Sequence, residues 1–277
     1  MVKNKYILGI DVGGTNIKFG LVDSRYKLVE SSQIPTPKTE KAVINLLIKI
    51  IEGKKPVIKA VGIGLPGPID LKRGIILRTP HLPIKNVPIL NLIKRHINKP
   101  LKIDNDANLF TLAEATVGAG KKYKNVVGIT LGTGIGGGIV INKKIYHGRN
   151  NAGEVGHQFI DSHTSKHLES FLKVNNFKRS AEDYVKLEML ADKKNKKAIK
   201  FWNDYGQILG YACLNIINIL DPEVIILGGK QTKAFKYFYP SLQQTIKKGS
   251  FLPPTKIIKS KLVDKAGIIG AALLFKN

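Results

Sequence analysis

The sequence predicts an α/β fold with a duplicated core, arranged as two lobes around a cleft. Three observations predict it: short apolar runs end in glycine turns, helical patterns lie between those runs, and one strand–turn–strand unit recurs later in the chain. At 277 residues, 43% of them hydrophobic, the chain is long enough for one large domain or two medium ones that share a cleft.

Four apolar runs rich in β-branched residues are each followed by a glycine turn, which is typical of buried strands. They are residues 6–10 before 11–15, 61–63 before 64–68, 126–131 before 132–138, and 224–227 before 228–229. Helical patterns occupy residues 41–51, 107–117 and 207–219. Strands that alternate with helices indicate α/β architecture.

The duplication is predicted by a shift of 119 residues, which places GIDVGGT at 9–15 on GITLGTG at 128–134. The apolar runs at 17–22 and 136–141 coincide under the same shift. Such an internal repeat favours two related lobes whose glycine turns face each other across the cleft. Two facing phosphate loops can hold one nucleotide.

The net charge of +25 comes from 45 lysines and arginines against 20 aspartates and glutamates. Most of the excess is lysine scattered through helical and loop segments, which indicates a solvated surface. A polyanionic partner, either nucleic acid or polyphosphate, is the alternative. Because the single cysteine cannot form an intramolecular disulfide and the first apolar run is too short for a signal peptide or a membrane span, we expect a cytoplasmic protein with no membrane contact.

The first glycine turn, Asp11 to Thr15, is a predicted phosphate loop. Gly13 and Gly14 lack a Cβ, so that their backbone N–H groups can approach an anion closely. Lys18 adds a positive charge nearby, and Asp11 at the end of the strand suits a water-mediated contact with Mg²⁺. An ordinary β-hairpin turn is the alternative interpretation.

The second glycine turn, residues 132–138, has a denser pattern: Gly132, Thr133 and Gly134 are followed by three more glycines. A hydroxyl among these glycines fits a cradle for the β- and γ-phosphates. The turn lacks the Gly-Lys-Ser/Thr ending of a P-loop and is not followed by a helical pattern. A glycine-rich bulge without a ligand is the alternative.

Six motifs in a fixed order resemble the ROK family of sugar kinases and repressors, over about residues 6–274. They are DVGGT at 11–15, IDNDA at 103–107, LGTGIGGG at 131–138, AGEVGH at 152–157, LDPE at 220–223 with GG at 228–229, and AGIIGAA at 266–272. The resemblance implies the actin-like ATPase (ribonuclease H-like) fold. It also implies a small lobe of residues 1–105 with about 262–277, and a large lobe of residues 106–261.

For the sugar site, the resemblance implies that Asp106 is the general base that takes the proton from the attacking hydroxyl. By itself an Asn-Asp pair before a helix is more often a cap. The side chains and backbone implied to bind the sugar belong to Gly67, Asn105, Asp106, Glu154, His157 and Glu169.

For the nucleotide site, the resemblance implies that Gly228 and Gly229 let the adenine lie against the backbone, with ATP and Mg²⁺ required for activity. Lys230 stands where the family often has a third glycine. The family also forms homodimers, so we expect one here.

The clearest departure from the family is the loss of three cysteines that, with the histidine of the AGEVGH segment, bind structural zinc in many members. Residues 160–167 contain no cysteine, and we therefore expect no zinc site. His157, His163 and His167 with Asp161 form a possible replacement site, although histidines in a polar loop are more often solvated.

The leading function is ATP-dependent phosphorylation of a hexose, with glucose at its 6-hydroxyl favoured over N-acetylhexosamine, fructose or allose. The second hypothesis is polyphosphate as donor, because some zinc-free members use it and the surface is strongly positive. A sugar-sensing transcriptional regulator is the third. It is less favoured, because the resemblance starts about five residues into the chain and no recognition helix can be named.

Overall fold

The computed structural model describes residues 4–79, 82, 84–161, 166–174, 181–253 and 255–276. The part before residue 106 alternates strands and helices as predicted. Its elements are β1 (Tyr6–Val12), β2 (Asn16–Val22), β3 (Leu28–Pro35), α1 (Glu40–Lys54), β4 (Ile58–Leu65), β5 (Ile69–Asp70), β6 (Ile75–Arg78), β7 (Lys85–Val87), α2 (Ile89–Lys94) and β8 (Leu101–Asn105).

The remaining part begins with a helix that follows β8 directly. Its helices and strands are α3 (Asp106–Thr116), β9 (Val126–Leu131), β10 (Ile135–Ile141), β11 (Lys144–Ile145), β12 (Phe159–Asp161), β13 (Lys166–His167), α4 (Leu168–Val174), α5 (Ala181–Asp192), α6 (Lys196–Leu220), β14 (Val224–Gly228), α7 (Phe235–Gly249), β15 (Lys256–Lys259) and α8 (Ala266–Leu273). Short 3₁₀ turns span Val155–His157, Lys230–Ala234 and Val263–Lys265.

Two five-stranded sheets have the same topology, which confirms the predicted duplication. The first runs β3-β2-β1-β4-β8 and the second β11-β10-β9-β14-β15. In each sheet a hairpin pairs antiparallel, and the strands beyond it pair parallel to its first strand. The turns differ by one residue. Val12 pairs with Ile17 across the first, whereas Leu131 pairs with Ile135 across the second, so that the second turn is tighter.

Two helices, α3 and α8, lie between the sheets and pack closely on each other. An added Cβ at Gly270 would lie 2.0 Å from the Leu109 carbonyl oxygen, and one at Gly62 would lie 1.9 Å from that of Ala271. Both positions require glycine because backbone atoms cannot give way as a flexible side chain can. The small residues of α8 therefore allow the first sheet, α8 and α3 to stack at short range.

A buried carboxylate joins α3 to the segment between β15 and α8. Glu114 is fully buried, and it accepts hydrogen bonds from the Ala119 amide at 2.7 Å, the Ser260 hydroxyl at 2.6 Å and the amides of Lys261 and Leu262 at 3.1 and 2.8 Å. These donors satisfy a charge that would otherwise be costly to bury. The contact fixes α3 relative to the chain that enters α8.

Each sheet has its own apolar core. The first core packs α1 and α2 against the face of β1 and β4 that points away from α8, and the second packs the aromatic side chains of α6 and α7 against β9 and β14. Trp202 and Phe238 are fully buried in the second core, with ring centroids 6.1 Å apart. Among the described helices, none is both long and apolar enough to cross a bilayer.

Candidate active site

A cleft of about 1110 Å³ opens between the two glycine turns and the start of α3. Most of the residues predicted for the site line it: Gly14, Thr15, Gly67, Asn105, Asp106, Gly132, Thr133, Gly134, Glu154, His157 and Glu169. The predicted residues that are not part of the lining are Asp11, Gly13, Lys18, Gly228 and Gly229. The structure thus brings segments from across the chain to one cavity.

Asn105 and Asp106 lie where β8 ends and α3 begins. The Asn105 side chain is the N-cap: its Oδ1 accepts from the amides of Ala107 at 2.9 Å and Asn108 at 3.2 Å, while its Nδ2 donates to the Gly67 carbonyl at 3.2 Å. The capping role considered for the pair therefore belongs to Asn105. Asp106 is left at the first helical position and lines the cleft.

The Asp106 carboxyl has a pKa raised to about 7. Burial is the main cause, and the negative charge of Asp11 adds to it; the hydrogen bond from the Ala107 amide, 2.8 Å from Oδ1, acts in the opposite direction. A carboxyl with a pKa near neutrality can exchange a proton with a bound hydroxyl at physiological pH. The environment of Asp106 therefore suits general-base chemistry.

Asp11, at the end of β1, is the second buried carboxyl of the site. Burial raises its pKa to about 6, although Lys18 lowers it and Asp264 raises it further. Its carboxyl abuts the start of α8, since a Cβ at Gly267 would lie 2.4 Å from the Asp11 Cγ. Asp11 behind the cleft and Asp106 in its lining are therefore two acidic groups that interact electrostatically.

The first glycine turn is held by its own backbone and by the residue that follows β3. The Gly13 amide donates to the Asn16 carbonyl at 3.0 Å, and the Thr36 hydroxyl donates to the Gly13 carbonyl at 2.7 Å. These bonds leave Gly14 and Thr15 facing the cleft. Lys18 donates to Asp264 at 2.5 Å and so lies at the edge of this turn.

The second glycine turn is held by side chains from two other segments. The Gln231 amide nitrogen donates to the Gly132 carbonyl at 2.7 Å, and its oxygen accepts from the buried Tyr205 hydroxyl. On the other side, Glu169 accepts from the Ile135 amide at 2.7 Å. A Cβ at Gly134 would lie 2.7 Å from this carboxylate, so that a larger residue there would push the Glu169 side chain away from its present position.

Glu154, His157 and Glu169 all line the cleft and interact electrostatically. Burial raises the pKa of Glu154, the charge of Glu169 raises it further, and His157 and Arg78 lower it. The His157 ring lies 5.2 Å from that of His167. The carboxyl oxygens and the imidazole nitrogens of these side chains can form paired hydrogen bonds with a polyol.

The segment with His157, His163 and His167 is the possible replacement for the family's zinc site. His163 lies outside the described residues. Within the part of the chain that the structure describes, no group of three or more His, Cys, Asp or Glu side chains is arranged to hold a metal ion. The absence of zinc therefore stays a prediction.

Gly228 and Gly229 lie beside the second glycine turn rather than in the cleft lining. Gly229 has a φ of +89°, and a Cβ there would lie 2.3 Å from the Leu131 carbonyl oxygen. Glycine is thus required for the chain to pass the end of β9. Lys230 and Trp202 border a smaller cavity next to Gly132.

Several site residues escaped prediction. Arg78 and Asn151 line the cleft, and the Asn151 side chain accepts from the Ile69 amide at 2.8 Å. Asp104 pairs with His147 at 2.7 Å. The sequence gives one signal for these residues, which is the place of Asp104 inside the IDNDA motif. The other contacts could not be predicted, because the residues that they join are far apart in the chain.

Comparison with known proteins places these features in context. A family model described as "ROK family" matches residues 7–277. The N-acetyl-D-glucosamine kinase of Haemophilus influenzae is 30% identical, over 96% of this chain and 98% of that protein. The glucokinase of Streptomyces coelicolor is 25% identical, over 98% and 97%. The crystal structure of a ROK family glucokinase from Streptomyces griseus in complex with glucose and AMPPNP has a TM-score of 0.83 at 25% identity, covering 97% of this chain and 98% of that one.

Proposed function

The chain belongs to the ROK family and has the actin-like ATPase fold, and on that premise we propose that it is a sugar kinase that transfers the γ-phosphoryl group of ATP to a hexose hydroxyl. The observation that carries the proposal is the Asp106 carboxyl, with a pKa of about 7, in a cleft between two glycine turns. The kinase and glucokinase relatives, which match nearly the whole chain, support it.

In the proposed reaction, ionised Asp106 accepts the proton of the sugar hydroxyl as that oxygen attacks the γ-phosphorus, and the bond from this phosphorus to the bridging oxygen breaks. Asn105 supports this step by capping α3, which holds Asp106 at its first turn. Glu154, His157 and Glu169 hold the other sugar hydroxyls. A sugar without one of those hydroxyls would leave a half-buried polar group unpaired, which gives selectivity.

The two glycine turns are the proposed donor site. Backbone amides of Gly14 and Gly134, together with the hydroxyls of Thr15 and Thr133, border the cleft where a triphosphate would extend between them. Gly13 and Gly132 shape these turns. Gly228 and Gly229, behind the second turn, are proposed to contact the adenosine, and Lys18 to contribute positive charge.

Mg²⁺ fits the two acidic groups of the site, Asp11 and Asp106. Burial raises the pKa values of both Asp11 and Asp106, and the charge of Asp11 raises that of Asp106 further. A divalent cation beside these carboxyls would favour their ionised forms. Asp11 would hold the ion through water, as oxygen ligands suit Mg²⁺. When bound, the ion neutralises charge on the phosphate oxygens.

The sugar is proposed to be glucose, phosphorylated at its 6-hydroxyl, with N-acetylglucosamine as the closest competitor because a relative of that activity is 30% identical. Polyphosphate is the second candidate donor. Lys18, Lys230 and Lys233 all lower the pKa of Asp264 at the edge of the first glycine turn. This places positive charge where a long polyanion could continue beyond the cleft.

The experiment pairs each of glucose, N-acetylglucosamine, mannose and fructose with either MgATP or polyphosphate, and measures sugar phosphate. We expect product with glucose and MgATP, and its loss in Asp106→Asn with the sugar dissociation constant changed less than tenfold. His96→Leu, at an exposed site at the end of α2, is the control. A folded protein that forms no product with any pair would contradict the proposal.

A further inference from the structure

We infer that His147 is a positioning residue for the sugar site: through Asp104 it fastens the segment from His147 to Glu154 against the strand that presents Asn105 and Asp106. The inference rests on the proposed function, because its consequence is measured as sugar affinity. His147 does not line the cleft, so any effect on the sugar passes through the residues it holds.

The Asp104 carboxylate is anchored beneath the first turn of α3. Its side chain is 4% exposed. Its Oδ1 accepts from the Asn105 amide at 2.7 Å and from the Asn108 side-chain nitrogen at 3.0 Å. Asp104 is therefore rigidly connected to the helix start that carries Asp106.

The other carboxylate oxygen reaches the loop after β11. His147 Nε2 lies 2.7 Å from Asp104 Oδ2, and because a carboxylate can only accept, the ring nitrogen donates. The His147 side chain is 34% exposed. The hydrogen bond to Asp104 raises the pKa of His147, which strengthens a charge-assisted contact between two segments 43 residues apart.

His147 also closes the turn that leads to the sugar-binding residues. Its carbonyl accepts from the Ala152 amide at 3.0 Å. Asn151, inside this turn, accepts from the Ile69 amide at 2.8 Å and gives a second anchor to the first part of the chain. Gly153 then passes over Gly137 with a φ of +96°, and Glu154 follows.

The Asp104–His147 contact connects two parts of the sugar site that come from distant segments of the chain. The proposed base comes from the end of β8, whereas Glu154 and His157 come from a segment beyond the second hairpin. The distance between these groups decides whether a sugar can contact all of them at once. The Asp104–His147 contact sets that distance directly, since one end of it adjoins Asp106 and the other begins the turn that ends at Glu154.

The test compares His147→Leu, which removes the donor, with His147→Gln, whose amide nitrogen can replace Nε2. His96→Leu is the control for losing an exposed histidine. For His147→Leu we expect the sugar KM to rise about tenfold, the loss typical of a charge-assisted hydrogen bond. The donor KM should change less than twofold, and His147→Gln should recover most of the sugar affinity.

A second measurement needs no substrate. Hydrogen exchange at the Ala152 amide should be faster in His147→Leu than in the wild type, and near wild type in His147→Gln. Unchanged exchange in His147→Leu would overturn the anchoring, whether or not the protein is a kinase. If His147→Leu loses sugar affinity and donor affinity equally, in proportion to its fall in Tm, then His147 has a general structural role and does not position the sugar site. A wild type that turns over no sugar refutes the proposed function, while the exchange data still decide the anchoring.

Discussion

Replacing Asp106 by asparagine should stabilise the protein at neutral and alkaline pH while it removes activity. The carboxyl has a pKa of about 7 in the folded protein against 3.8 for an unperturbed aspartate. The folded state therefore binds this proton more tightly than the unfolded state. The stability contributed by the protonated group is present in full below pH 3.8 and is lost as the pH rises to about 7.

The size of this stability change follows from the difference between the folded and unfolded pKa values of Asp106. At 1.36 kcal/mol for each pH unit between the two pKa values, the burial of Asp106 costs about 4 kcal/mol at pH 8, where the folded protein carries the ionised carboxyl, and about 1.5 kcal/mol at pH 5, where it carries the protonated one. Asparagine is neutral at both, and its Oδ1 can still accept from the Ala107 amide. The stability gained in Asp106→Asn should therefore grow by about 2.5 kcal/mol between pH 5 and pH 8.

Urea unfolding of wild type and Asp106→Asn at unit pH steps from 5 to 8, in chelator and without nucleotide, measures this difference. Asp204→Asn is the matched control, because the Asp204 side chain on α6 is about half exposed and pairs with Lys200 at 2.9 Å. Its effect should stay below about 1 kcal/mol. The reasoning would be refuted if the difference in unfolding free energy between Asp106→Asn and wild type did not change with pH. It would also be refuted if the variant were less stable than wild type at pH 8, because burial could then not be the cause of the raised Asp106 pKa.

Three further predictions concern the site and the packing that supports it. In wild type, kcat/KM for the sugar should rise with pH and level off above about 7, as the base ionises; a flat profile from pH 5 to 8 would count against this base. Gln231→Ala removes the donor to the Gly132 carbonyl, so the KM for MgATP should rise severalfold with the sugar KM unchanged, and steady-state kinetics that show the reverse would contradict it. Gly270→Ala forces a Cβ to within 2.0 Å of the Leu109 carbonyl oxygen, and calorimetry should show a Tm lower by at least several degrees. Gly53→Ala in α1 is the control: its Cβ meets nothing within 4 Å, so that Tm should stay the same or rise.

The strands and their duplication were predictable because they are local or periodic signals. The repeat of 119 residues matches β1 with β9 and β2 with β10. The one-residue difference between the turns was not predictable, since strand pairing rather than sequence spacing sets where each hairpin closes. Helix α6 also begins earlier than predicted, at Lys196 after the Asn195 cap, because an amphipathic first half extends the apolar stretch.

The site divides in the same way. Residues inside short motifs, such as Asn105 and Asp106, could be located from the sequence, although which of the two caps α3 could not. Contacts between distant side chains left no trace in any local pattern. Asp104 with His147, and Ile69 with Asn151, are 43 and 82 positions apart. The division into lobes at residues 105 and 262, and the homodimer, stay predictions.

The Glu114 carboxylate links two helices whose first turns both reach the active site. It joins α3, which starts at Asp106, to the segment between β15 and α8. The first turn of α8 in turn abuts Asp11. Pulling it from its donors would strand a charge in the core, at a cost of several kcal/mol. Glu114 therefore couples the helix that begins at Asp106 to the helix that abuts Asp11, and so helps to hold the two acidic groups of the site at a fixed spacing.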